Sequence, residues 1–239
     1  MLIPVLKGLA DFVWPPRATC LLCEEWVGEG LSPLCHTCSE AMQFPAERRC
    51  CSRCLRPTRV SVSCCDECRD RPELGRVWAV GLHEGPLREA IHHLKFNGRA
   101  ELGVQLGQRL GLSIASRYDA AVPIPLHRHR LRERGYNQAL SIATGVCQAT
   151  GIHLVENGLQ RLRSTGHQAK LDRADRLRNL NGAFSISKGW RPEGQRLLLI
   201  DDVLTTGATA AAAASVLLAA GAAQVDAGVL AVSATVIGK

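Results

Sequence analysis

The stretch Leu197-Leu-Leu-Ile-Asp-Asp-Val-Leu-Thr-Thr-Gly-Ala-Thr209 decides the fold. Its apolar run, Leu197 to Ile200, has the length of a strand buried on both faces of a parallel sheet, and it stops at two adjacent carboxylates, Asp201 and Asp202. Val203, Leu204, Thr205, Thr206, Gly207, Ala208 and Thr209 follow. Next comes an alanine-rich segment, Ala210 to Ala220, which closes at Gly221 as a helix closes at a glycine. The reading is strand, loop, helix. A loop between the carboxyl end of a parallel strand and the start of a helix offers free backbone N–H groups and the positive end of a helix dipole, so it suits a phosphate. The threonine hydroxyls add donors, and Gly207 lets the backbone approach a ligand without a Cβ in the way. Ionised carboxylates only accept, so beside a phosphate cradle they suit the vicinal hydroxyls of a ribose, or a magnesium ion. Together these groups point to a ribose 5-phosphate unit. A bare helix start needs one capping acceptor, and this loop supplies a whole set.

The same stretch resembles the phosphoribosyl pyrophosphate (PRPP) signature of type I phosphoribosyltransferases. That resemblance implies that Asp201 and Asp202 contact the ribose hydroxyls, that Val203 to Thr209 form the PRPP-binding loop, and that Thr205 to Thr209 wrap the 5-phosphate. A nucleoside triphosphatase also places an acidic pair after an apolar strand. The chain has no Gly-x-x-x-x-Gly-Lys-Ser/Thr, so that alternative lacks its phosphate loop.

The 239 residues suffice for one ordinary domain and a small one. A net charge of +7 and a pI near 9.0 favour anionic partners, a polyphosphate or a nucleic acid. Aromatic residues make up only 4%, so contacts to nucleic acid would run to phosphate more than to stacked bases. Met1 to Thr19 carries Lys7 and Asp11 and no long apolar stretch, which argues against a secretory signal and for a cytoplasmic protein. No charge occurs between Asp202 and Asp226, but the span is alanine-rich and opens on a Thr-Thr-Gly turn. A helix packed on a sheet is therefore expected, with no membrane insertion.

Ten of the eleven cysteines fall between Cys20 and Cys68, eight of them in four pairs: Cys20 and Cys23, Cys35 and Cys38, Cys51 and Cys54, Cys65 and Cys68. Two thiolates separated by two residues bind one tetrahedral metal from a tight knuckle, so four knuckles predict two structural Zn²⁺ sites. A disulfide scaffold would need an oxidising compartment, and a redox Cys-x-x-Cys would not recur four times. Successive knuckles sharing a metal close shorter loops than interleaved ones, which favours Cys20/Cys23/Cys35/Cys38 and Cys51/Cys54/Cys65/Cys68. The interleaved pairing stays open. Cys50 and Cys64, each directly before a knuckle, are either substitute ligands or spectators.

The charged, Pro- and Gly-bearing segment Arg69 to Gly75 marks an expected boundary between a zinc-ribbon-like domain, 1–72, and a second domain, 75–239. In the second, Val77 to Leu82 reads as a strand, and Leu87 to Phe96 and Leu102 to Ala115 as amphipathic helices. Ala120 to Leu126 is a short strand ended by prolines, followed by a basic run. Arg128, Arg130, Arg132 and Arg134 are thereby aimed above the sheet, and guanidinium groups suit phosphate oxygens. Tyr136 to Ala149 reads as a helix. The long basic connection Leu159 to Phe184 predicts a lid in which Arg161, Arg163, Gln168, Lys170, Arg173, Arg176 and Arg178 close over a polyphosphate. Ala183 to Ser187 and Ala227 to Val232 read as strands.

The cysteine knuckles are followed by Leu94-Lys-Phe-Asn-Gly-Arg99, Val122-Pro-Ile-Pro-Leu-His-Arg128, Arg134-Gly-Tyr-Asn-Gln-Ala139, Thr165-Gly-His-Gln-Ala-Lys-Leu171, Arg178-Asn-Leu-Asn-Gly-Ala-Phe184 and the Asp201-Asp202 loop. In this order, from about Trp14 onward, the chain resembles the ComF family of competence-associated, phosphoribosyltransferase-like bacterial proteins. The resemblance implies an α/β fold of the type I phosphoribosyltransferase kind, a mostly parallel sheet flanked by helices, with a small Cys-rich zinc-binding domain ahead of it. It also implies PRPP with Mg²⁺ as ligand and a role in DNA uptake and natural transformation. Single-stranded DNA or a DNA-translocating competence helicase would be the partners. In such a site Asp201 and Asp202 orient the ribose, while Arg128, Arg130, Gln168 and Lys170 meet the pyrophosphate. Two functions follow: a phosphoribosyltransferase of nucleoside metabolism whose acceptor the sequence does not specify, or a non-catalytic PRPP- or nucleotide-sensing module that holds DNA or a DNA-translocating partner.

Overall fold

The computed structural model describes residues 19–20, 22–27, 34–45, 47–162 and 182–236. Packing divides the chain into two compact units, 1–41 and 42–239. In the first unit, Thr19 and Trp26 form an antiparallel bridge around the first knuckle, and helix α1 (His36–Ala41) carries the second.

In the second unit, residues 50–62 fold back through the bridges Cys50 to Pro57 and Cys51 to Val62, and the short helix α2 (Asp66–Arg69) follows. Then come β1 (Val77–Leu82), α3 (Gly85–Phe96), α4 (Ala100–Ser113), β2 (Ala120–Pro123), α5 (Arg128–Arg134), α6 (Gln138–Thr150) and β3 (His153–Leu154). The chain continues through β4 (Leu159–Arg161), β5 (Phe184–Ile186), β6 (Arg196–Leu204), α7 (Ala208–Ala219) and β7 (Gln224–Val232). Five strands make one parallel sheet in the order β1-β7-β6-β2-β3, while β4 and β5 pair antiparallel outside it. The expected α/β architecture, a parallel sheet flanked by helices, is the one observed.

Alternation along the strands sorts the core into two layers. Leu197, Leu199, Ala227 and Val229 share a cluster with Ala210, Ala213 and Leu217 of α7. Leu198 and Ile200 lie on the other face with Leu110 of α4, where Gly228 gives them room. Both faces being covered explains why β6 begins as an unbroken apolar run. Helices α4 and α6 touch backbone to backbone. A Cβ on Gly145 would stand 1.9 Å from the Val104 carbonyl oxygen, and one on Gly107 would stand 2.1 Å from that of Ile142.

Three expectations on element ends need correction. Strand β6 does not stop at Ile200 but runs to Leu204, because Asp201 and Val203 stay in register with Val229 and Ala231 of β7. A ladder is held by backbone groups, so a carboxylate side chain does not end it. Strand β2 ends at Pro123 rather than at Leu126, and the arginine run beyond it lies on the helix α5, started by His127, whose side chain accepts from the His129 amide at 3.3 Å. Helix α4 begins at Ala100 and ends at Ser113 rather than spanning Leu102 to Ala115. The expected division at 72–75 marks the end of the cysteine pattern, and by packing residues 42–72 group with the sheet.

Candidate functional site

The order of strands creates the site. After β2 the chain leaves for β3 at one edge, and after β6 it leaves for β7 on the opposite side, so the carboxyl ends of neighbouring β2 and β6 flank a switch point. Asp201 and Asp202 of β6 stand there on opposite sheet faces. On the α3/α6 side, Asp202 is 6% exposed, with Oδ1 2.8 Å from Lys95 Nζ at the end of α3. Its Oδ2 accepts from Gln138 Nε2 at 2.8 Å, from the first turn of α6. Asn137 places that glutamine by capping α6 with its side chain, which accepts from the Ala139 amide at 3.1 Å.

Asp201 accepts a 2.8 Å bond from the Asp202 amide. Burial, then the neighbouring Asp202 charge, pushes its carboxyl up from 3.8 to about 7, against the pull of Lys95 and Arg161. A carboxyl raised in the folded state keeps its proton there while the unfolded chain has already released it. The native state then binds the extra proton, and stability falls as pH rises between 3.8 and about 7. Asp201→Asn is expected to flatten that part of the stability profile, as measured by urea unfolding across the window. A variant that keeps the wild-type slope would assign the pH dependence to other groups.

Beyond β6, Gly207 sits at the start of α7 with φ of 78°, and the Thr206 hydroxyl accepts from the Ala208 amide at 3.4 Å. The first amides of α7 have no partner within the helix. Residues 203–210 line a small recess of about 30 Å³, with Asp201 at its edge. Beside it opens a larger cavity of about 230 Å³, bounded by Asp201, Asp202 and Thr209 and walled by Lys95, Arg130, Arg134 and Arg161. Four cations against two carboxylates favour an anionic guest.

Of the residues expected from the sequence, Asp201, Asp202, Arg130 and the 203–209 loop come together here, as does Arg161, carried by β4. Arg128 is exposed on α5 and does not line either cavity. Gln168 and Lys170, with Arg163, Arg173, Arg176 and Arg178, lie outside the described residues. Sequence reasoning missed the roles of Lys95 and Gln138. Each had a faint signal: a cation directly after the last buried position of an amphipathic helix, and an amide directly after a capping asparagine.

The cysteines gather as the sequential pairing predicts, into Cys20/Cys23/Cys35/Cys38 and Cys51/Cys54/Cys65/Cys68, with the sulfurs of each group within 4.8 Å of one another. Separations of 3.5 Å for Cys23 and Cys35, 3.9 Å for Cys51 and Cys68, and 3.8 Å for Cys54 and Cys65 bracket the spacing of about 3.8 Å that four sulfurs adopt around zinc at about 2.3 Å. A hydrogen bond with Cys68 is the largest cause holding the Cys54 thiol down to about 6, and the same contact pushes Cys68 up. A dication held among the four thiolates would let every sulfur ionise. Both groups therefore fit Zn²⁺. Cys50 and Cys64 belong to neither group, and His36 is exposed on α1.

Among the described residues no helix is long and apolar enough to cross a membrane. No protein-family model matches the chain. Among solved structures it is similar to the glutamine PRPP amidotransferase of B. subtilis complexed with ADP and GMP, at 24% identity and a TM-score of 0.42, covering 59% of this chain and 30% of that one. A structure described as the allosteric regulatory enzyme of purine biosynthesis matches to the same extent. Among curated proteins, competence protein F of Haemophilus influenzae is 29% identical over 182 residues, 72% of each chain. The DNA utilization protein YhgH of Salmonella typhimurium is 29% identical over 64% of this chain and 77% of its own. Competence protein ComFC of Bacillus subtilis is 27% identical over 78% of this chain and 83% of its own. These relatives, each aligned over most of the chain, support an assignment to the ComF family.

Proposed function

We propose that this chain is a cytoplasmic, phosphoribosyltransferase-like protein of DNA uptake and natural transformation that binds PRPP, or a related ribose 5-phosphate, together with Mg²⁺. One observation carries the reading: an acidic strand end, a threonine-lined helix start and a cation-walled cavity meet at one switch point of the sheet. In this reading the 205–209 loop holds the 5-phosphate, Asp201 accepts from the ribose hydroxyls, and Arg130, Arg134 and Arg161 face the pyrophosphate. Mg²⁺ would arrive with the ligand and neutralise part of its charge. The relatives' names, competence and DNA utilization, support a role in DNA handling. Single-stranded DNA or a DNA-translocating helicase would then be the partner. The domain division belongs to the same proposal, with 1–72 as the metal-binding part and 75–239 as the ligand-binding part.

Both Asp202 oxygens are already engaged by Lys95 and Gln138, which favours a second reading, a PRPP-sensing module without turnover. Calorimetry with PRPP and Mg²⁺ tests the common ground. Wild-type protein is expected to take up PRPP, and Asp201→Ala to weaken uptake about 30-fold, the loss of one charge-assisted acceptor. Folded protein that takes up no PRPP sinks both readings. Pyrophosphate release in the presence of acceptors then separates them: turnover supports the transferase, and binding without release supports the sensor.

A further inference from the structure

The second cysteine cluster and the 205–207 turn, more than a hundred residues apart, share a wall. A recess of about 20 Å³ is lined on one side by Cys54, Cys68 and Arg71 and on the other by Leu204, Thr206 and Gly207. Arg71 is only 8% exposed, and its Nη1 stands 3.4 Å from the position that a Cβ on Gly207 would occupy. A buried guanidinium therefore lies directly behind the turn that opens α7.

The knuckles hold Arg71 there. Its amide donates to the Cys68 carbonyl at 3.2 Å. Arg53, inside the Cys51 to Cys54 knuckle, donates to the carbonyls of Cys68, Arg71 and Pro72 at 3.1, 3.3 and 3.1 Å, and also to that of Leu74. Cys51, Cys54 and Cys65 are buried in the same cluster as Leu204 and Ala210, the residues on either side of the loop. The cluster is thus built into the foundation of the loop.

We infer that the second cysteine cluster is a working part of the anion site: metal held by Cys51, Cys54, Cys65 and Cys68 fixes Arg71 behind the Thr206 and Gly207 turn, so that metal loading and anion binding at this loop reinforce each other. The inference rests on the reading of the loop as a phosphate site. Its physics is that of a positioned charge. Arg71 adds to the positive end of α7 from behind, and an anion in front is drawn by both. Four sulfurs tied to one ion keep the Arg53 clamp and the Arg71 backbone in place; released, they leave both without an anchor. Such coupling is reciprocal, so the ligand also holds the metal.

Two arms test it on the full zinc-loaded chain. Arg71→Gln keeps every cysteine. It is expected to retain the wild-type zinc content, yet bind PRPP with Mg²⁺, and inorganic phosphate, about tenfold more weakly in calorimetry, with Arg71→Lys recovering part of the loss. In the second arm, which needs no ligand, a chelator strips the metal and amide exchange is followed by peptide. Residues 203–210 are expected to exchange about tenfold faster while the β7 peptide stays protected. If the wild type binds PRPP and Arg71→Gln binds it equally well, the inference is overturned and the phosphate reading stands. If the wild type binds neither probe, the phosphate reading fails, and unchanged exchange at 203–210 overturns the coupling itself. Should stripping also expose β7, the Arg71 variants decide.

Discussion

Gly145→Ala is expected to lower the unfolding midpoint by about 10 °C, which corresponds to roughly 3 kcal/mol in a chain of this size. The reason is geometric. The added Cβ would stand 1.9 Å from the Val104 carbonyl oxygen and 2.8 Å from the Gln108 amide nitrogen, and both belong to the backbone of α4. No rotamer change relieves a clash with backbone, so the two helices must separate along their contact and give up close packing over its length. Gly107 is the counterpart on α4, where a Cβ would meet the Ile142 carbonyl oxygen at 2.1 Å and the Gly145 Cα at 3.1 Å. Gly107→Ala is expected to cost about as much. The double variant should cost clearly less than the sum, because a gap opened for one methyl serves the other. Calorimetric scans of the three variants check this, and an unchanged midpoint in Gly145→Ala would contradict the helix crossing described. The effect reaches the site as well, since α6 carries Gln138 at its start.

The second large effect concerns Lys95 and Asp202. Lys95→Met strands a carboxylate that is 6% exposed, leaving only the Gln138 amide to hold it, and is expected to destabilise by about 3 kcal/mol. Asp202→Leu is expected to cost less, about 1–2 kcal/mol, because the Lys95 side chain is 22% exposed and its flexible stem can carry the ammonium to water. Removing both charges together should recover most of the loss, since the cost lies in an uncompensated buried ion more than in the missing attraction. Urea unfolding of the two single variants and Lys95→Met/Asp202→Leu closes the cycle. Strictly additive losses would mean that the two groups do not act as a pair.

Much of the site could be read from the chain itself, and the reason is local. The 203–209 loop announces itself because a buried strand, two acids and a threonine-glycine turn are consecutive in sequence. The cysteine knuckles do the same, since each pair of ligands sits within four residues. What could not be read was convergence. Lys95, Gln138 and Asp202 meet only because α3 and β6 end, and α6 begins, at the same rim of the sheet, and nothing in the spacing of 95, 138 and 202 states that. The end of β6 was misplaced for a related reason: side-chain character marks where burial stops, whereas the ladder to β7 is set by backbone partners. The arginine run shows the same gap. As a charge pattern it could be tail or helix, and the His127 cap with the α5 turn decides which arginines face the cavity: Arg130 and Arg134 line it, and Arg128 does not. Nor does the spacing of the cysteines state that Cys51, Cys54 and Cys65 share the core of the sheet.

The position of β7 bears on how the chain comes to be folded at all. Of the described strands it is the last along the chain, yet it occupies the inside of the sheet, with β1 on one flank and β6 on the other. Val77 cannot find its neighbour Ala227 until 150 further residues have been made. Until then β1 has no strand to pair with, and β6 keeps an open apolar edge, the kind of surface that invites aggregation. A nascent chain of this design closes its sheet late, and one cut short before Gln224 would leave β1 apart from β6, β2 and β3 with no strand between them.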